Sequence, residues 1–99
     1  MIPEGYKMQT TFFMDFAIAD RFGKQAVINT AKKSYEQYKD DVTYMKEMVF
    51  VLNIKCWDFH HAGNSEMSEL YSDLYYKYND LCLNHLKGDD LREFIDFLD

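Results

Sequence analysis

The residues with the most chemical reach are cysteine and histidine, and they come in two spaced pairs. Cys56 and His60 are four apart, and Cys82 and His85 are three apart. On a helix either spacing puts both side chains on one face. A thiolate with an imidazole is half of a zinc-ligand set. The chain turns back near Gly63, so at about 1.5 Å per residue the two pairs lie about twelve residues, or roughly 18 Å, apart along the helices. Zinc ligands sit about 2 Å from the metal. No metal site is therefore expected within one chain, and a Cys/His metal-binding protein with a site shared between chains stands as an alternative. Cys56 with His60 or His61 has the types of a thiolate–imidazole nucleophile. No orienting third group accompanies them, and Cys56 falls in an apolar seam where a thiol packs as a hydrophobe. Asp15, Asp20 and Asp58 form no spaced acid pair on one helix face. No glycine-rich phosphate loop, Gly-x-Ser-x-Gly or His-Glu-x-x-His motif occurs. The reading is of a protein that is not an enzyme, with no catalytic residues, no cofactor and no metal of its own.

The elements that would position these residues are helical throughout. In "TTFFMDFAIADRFG" a threonine, Thr10 or Thr11, can cap a helix. Phe12, Phe16 and Ala19 follow at helical spacing, with Phe13, Ala17 and Ile18 widening the stripe. This predicts a helix over about 11–21 that is too apolar all round to lie free in water. Phe12 and Phe16 are read as core. Val27, Ile28, Ala31, Tyr35 and Tyr38 predict a second helix over 24–39. After a cap at Asp40 or Asp41, Val42, Met45, Val49, Leu52, Cys56 and Phe59 repeat as a heptad seam over 42–62. A second stripe through Met48, Phe50, Val51, Ile54 and Trp57 makes this the central helix. Asn64 or Ser65 caps a fourth helix over 65–87, with Met67, Tyr71, Leu74, Tyr78, Leu81 and His85 in its seam. Lys87 and Gly88 are read as its C-terminal cation and closing glycine. Asp90 and Glu93 then form a capping box for a last helix over 90–98. Short turns make neighbours antiparallel. The expected fold is all-α: an antiparallel three-helix bundle with short additional helices at the N- and C-terminus. It is a single domain over 10–99 behind a flexible N-terminus, 1–9, marked by Pro3 and Gly5.

Charge narrows the partners. Residues 1–57 hold 8 basic and 7 acidic side chains, and residues 58–99 hold 3 basic and 10 acidic, so the net −6 sits in the second half. A groove for nucleic acid needs clustered Lys and Arg, and direct nucleic-acid binding is not expected. The longest apolar run is well short of the roughly 20 residues of a membrane span. No basic stretch leads into an apolar one at the start, so the expected location is cytoplasmic. Aromatic residues are 17% of the 99, including eight Tyr and eight Phe, more than a small helical core readily hides. Tyr71 and Tyr78 are read as core. Phe13, Tyr75 and Tyr76, with Asp89, Asp90 and Glu93, are the candidate interface residues.

Three stretches, "TTFFMDFAIADRFG", "YMKEMVFVLNIKCW" and "LKGDDLREF", resemble a family of small uncharacterised proteins of conjugative transposons and related mobile elements of Firmicutes. The most specific part is Asp15, Phe16, Ile18, Ala19, Asp20, Phe22 and Gly23. The family pattern carries Trp where Phe13 stands here and no cysteine at Cys56. The resemblance implies a bacterial, cytoplasmic, mobile-element setting and no particular activity. The expected function is thus a small acidic protein–protein interaction module that binds a partner or itself as a homodimer. The alternative is an acidic inhibitor or nucleic-acid mimic for a basic groove.

Overall fold

The computed structural model describes residues 4–99, and these residues form helices and turns only. The five helices are α1 (Phe12–Asp20), α2 (Lys24–Tyr38), α3 (Val42–His61), α4 (Ser65–His85) and α5 (Gly88–Leu98). The all-α expectation holds, and the helices pack as a bundle. Of the expected flexible stretch 1–9, residues 1–3 lie outside the described residues. Tyr6 and Gln9, by contrast, are bonded to the bundle.

Local chemistry sets most boundaries. Asp41 caps α3, its Oδ1 accepting from the N–H groups of Thr43 at 3.0 Å and Tyr44 at 3.3 Å. Asn64 caps α4 by accepting from the Met67 N–H at 3.1 Å. Each satisfies donors that a helix start leaves unpaired. Thr11 precedes α1, but its hydroxyl donates to Asp15 Oδ2 at 3.1 Å and caps nothing. Between α1 and α2 the chain reverses through Arg21, Phe22 and Gly23. Gly23 has φ 101° and ψ −179°, a region that essentially only glycine enters.

The α4–α5 link departs from expectation. Helix α4 stops at His85, and Leu86 turns extended, which places its side chain in the core. Gly88 does not close α4; it is the first residue of α5. The Asp90–Glu93 capping box is not formed, because α5 begins two residues earlier. Asp89 and Asp90 instead lie in the first turn, where carboxylates suit the positive end of the helix dipole. Glu93 reaches across to Lys46 at 2.7 Å.

Helix α3 touches all four others and supplies the centre of the core: Met45, Met48, Val49, Val51 and Leu52 are fully buried. Its largest partner is α4. Near the turn, the Ser68 hydroxyl donates to the Cys56 carbonyl at 3.0 Å, and at the far end His85 meets Asp40 at 2.6 Å. Leu81, expected in the α4 seam, is exposed, and Cys82 is buried in its place. A straight helix turns every 3.6 residues, so a seven-residue seam drifts off the core within a few turns.

Two substitutions test this account. Asp41→Ala should cost about 1 kcal/mol in denaturant unfolding by loss of the cap. Gly23→Ala should cost about 1–3 kcal/mol through backbone strain alone, since an added Cβ there meets no atom within 4 Å.

Candidate functional site

Two polar clusters fix the N-terminal segment and α1 on the bundle. The first surrounds Glu47, the one charged residue buried with the core among the described residues. Its carboxylate accepts from the Tyr6 hydroxyl, from the Gln9 N–H at 3.0 and 3.1 Å, and from the Thr10 N–H at 2.9 Å. Burial by itself raises the pKa of such a carboxyl. Here the donors from Tyr6, Gln9 and Thr10 outweigh it and hold the group below its ordinary value. The Thr10 hydroxyl oxygen is buried and has no hydrogen-bond partner among the described residues. Burial, then the bond to Glu47, pushes the Tyr6 phenol well up.

The second cluster fastens the other end of α1. Asp20 Oδ2 pairs with Lys55 Nζ at 2.5 Å, and Asp20 Oδ1 accepts from the Tyr71 hydroxyl at 2.5 Å. Lys55 Nζ lies 5.0 Å from the Phe59 ring centre and 5.8 Å from that of Tyr71. Those two rings stack at 5.7 Å, and Phe16 of α1 meets Tyr71 edge-on. Burial, reinforced by Asp20, raises the Tyr71 pKa. Most of the aromatic excess is used in this way, as ring contacts between helices.

Held at both ends, α1 buries Phe12, Phe16 and Ala19 and turns its other flank outward. Met14 is 63% exposed, Ile18 50% and Phe22 78%. Met14 and Ile18, spaced by four, share one flank of the helix, Phe22 stands open in the turn that follows it, and Phe13 is 38% exposed. Only Phe13 of this group was among the expected interface residues. The signal for the others is present in the sequence: a helix apolar all round cannot bury every side in so small a domain.

The other expected residues lie on separate faces. Tyr75 is half-buried in a groove of about 340 Å³ with Asn79, Leu83, Phe94, Ile95, Leu98 and Asp99. Tyr76 is 66% exposed and packs edge-on against Tyr75 at 5.3 Å. Asp89 and Glu93 line a second hollow of about 380 Å³ with Tyr6, Lys46, Arg92, Asp96 and Phe97. Asp90 lies at a third with Asp40 and His85. The cysteines and histidines are dispersed. Cys56 Sγ faces Ser68 Oγ at 3.7 Å. Cys82 is buried, its thiol pushed up to about 12 by burial. His60 and His61 are exposed and lie together against the indole of Trp57, His60 edge-on at 5.7 Å and His61 stacked at 6.0 Å, with 5.7 Å between the two imidazoles. Among the described residues no three His, Cys, Asp or Glu side chains cluster as a metal would require, and no helix is long and apolar enough to cross a membrane.

The chain matches no protein-family model, no curated protein and no solved structure.

Stability should peak between about pH 5 and 9. The Glu47 contribution is whole above the ordinary carboxyl value of 4.5 and is lost as pH falls below it. Those of Tyr6 and Tyr71 are whole below 10.0, and that of Cys82 below 9.0; they are lost as pH rises past those values. Melting temperature measured across this range checks both arms. Glu47→Gln should cost about 1–3 kcal/mol, because it leaves buried neutral donors mispaired. It should also speed hydrogen exchange at the Gln9 and Thr10 amides. Unchanged exchange there would contradict the cluster's role.

Proposed function

We propose that this protein is a protein–protein interaction module that works by contact and not by catalysis, with the outer flank of α1 as its contact surface. One observation carries the reading: Met14 and Ile18 of α1, and Phe22 in the turn after it, stand in the open while the two ends of the helix are fixed by Glu47 and by Asp20–Lys55–Tyr71. Exposed apolar surface on a domain this small usually marks a binding site. A fixed surface also loses little freedom on binding, so more of its burial is realised as affinity. In this reading α2, α3 and α4 form an antiparallel three-helix bundle that serves as the support. The short turns at 39–41 and 62–64 and the pairings of Asp40 with His85 and Cys56 with Ser68 favour that arrangement. The setting is the bacterial cytoplasm and a mobile element, as the sequence resemblance implies.

A second reading, an acidic inhibitor or nucleic-acid mimic, is favoured by one feature. Glu66, Asp73 and Asp80 repeat every seven residues along the exposed side of α4. Two acids of the negative half are already neutralised, Glu66 by Lys24 at 2.8 Å and Glu93 by Lys46 at 2.7 Å. That leaves the first reading ahead.

Capture from a nuclease-treated lysate of a bacterium carrying such an element separates the two, with light scattering on the purified protein beside it. The first reading expects a partner, or a dimer, that survives high salt and is lost in Ile18→Ser/Phe22→Ser. Asp89→Lys/Asp90→Lys should leave it intact. Capture that is lost at high salt and in the charge-reversed variant supports mimicry, since screening weakens charge-driven binding. Capture or dimerisation unchanged by Ile18→Ser/Phe22→Ser overturns the assignment to α1.

A further inference from the structure

The groove between α4 and α5 has a different character from the α1 flank. Its floor is mainly apolar: Tyr75 and Leu83 from α4, with Asn79 between them, and Phe94, Ile95 and Leu98 from α5. Leu83 and Ile95 are each more than a third exposed, so the floor is open to a partner. Its borders are acidic. On α4, Glu69, Asp73 and Asp80 are exposed and lie within one narrow stripe at 100° per residue, with Tyr76 between that stripe and Leu83 of the groove. On α5, Asp99 lines the groove itself. Two cations stand against these four acids. Arg92 is on α5, and Lys77 on α4 has its Nζ over the Tyr78 ring at 5.4 Å.

We propose that this groove receives an amphipathic, basic α-helix of a partner protein. The partner's apolar stripe would rest on Tyr75, Leu83, Ile95 and Leu98, and its Lys or Arg flanks over the acids of α4 and α5. A furrow between two helices accepts the ridge of a third, and helix-in-groove recognition reads apolar anchors spaced by three and four. The 11 residues of α5 run about 16 Å, which accommodates about three turns of a bound helix. The charge balance selects a basic partner and repels an acidic one. A second copy of this chain does not meet the requirement. Its most basic helix, α2, exposes Lys24, Gln25, Asn29, Lys32, Lys33, Glu36 and Gln37, which include no apolar stripe.

The proposal uses a face other than that of α1, so each can fail alone. The test is titration of the whole chain with three synthetic peptides, followed by fluorescence anisotropy and by amide shifts in NMR. One is a Leu/Lys amphipathic helix, the second is its Leu/Glu counterpart, and the third is a Leu/Lys scramble of equal charge without a stripe. The amphipathic basic peptide should bind at least about tenfold more tightly than either control, with shifts centred on α4 and α5. Leu83→Ser/Ile95→Ser keeps the net charge and removes only exposed side chains, so it should fold and weaken binding about tenfold. Asp73→Asn/Asp80→Asn should weaken it and flatten its salt dependence, whereas Phe22→Ser should leave it unchanged. Equal binding of the scramble, shifts centred on α1, or no saturation with the amphipathic basic peptide would each overturn the proposal.

Discussion

A single carboxylate governs how this molecule is put together. Burying an ionised Glu costs several kcal/mol unless donors replace the water it loses. At Glu47 they come from a hydroxyl and two backbone N–H groups of residues 6–10, a segment without regular structure of its own. The dependence is mutual. The segment has few other reasons to lie where it does, and the charge has no other described donors. Its neighbour Lys46 extends the effect, bridging to Glu93 and lying over the rings of Tyr6 and Phe97. The start of α3 thereby gathers the N-terminal segment and α5 at one place.

From that point the geometry of α1 follows. The backbone enters it at a fixed position, leaves it through Asp20 on Lys55 and Tyr71, and reverses at Gly23. No freedom remains to roll the helix and bury its second apolar flank. The exposed stripe is thus a consequence of polar anchoring, since burial of apolar area alone would favour hiding it.

Much of the architecture was legible in the sequence because helical periodicity and caps are local signals. Phe12, Phe16, Tyr71 and Tyr78 are in the core as their spacing required, and Asp41 caps α3 as its type suggested. What was not legible depends on partners distant in sequence. Glu47 differs from a surface glutamate only by its apolar neighbours on an all-round buried helix, and its donors lie 37 to 41 residues away. The α4–α5 link was misread for a similar reason: Gly88 reads as a helix stop until the burial of Leu86 pulls the chain out of α4 early. The residues read as a candidate interface do not share one face. Tyr75 and Tyr76 adjoin one groove, but Asp89, Asp90 and Glu93 fall at other hollows, and the α1 stripe beside Phe13 needed knowledge of which flank faces inward.

The placement of Trp57 has an optical consequence. It is the sole tryptophan, more than half exposed, and in contact with the rings of His60 and His61 at the end of α3. Its emission therefore reports on solvent and on imidazole charge at the molecular surface, and only faintly on the interior. The rings that sense the interior are Phe16, Phe59 and Tyr71, locked in mutual contact beside Lys55. Near-ultraviolet dichroism of tyrosine is accordingly the faithful witness of packing in this protein. Its tryptophan fluorescence is a separate channel, tuned to the far end of α3.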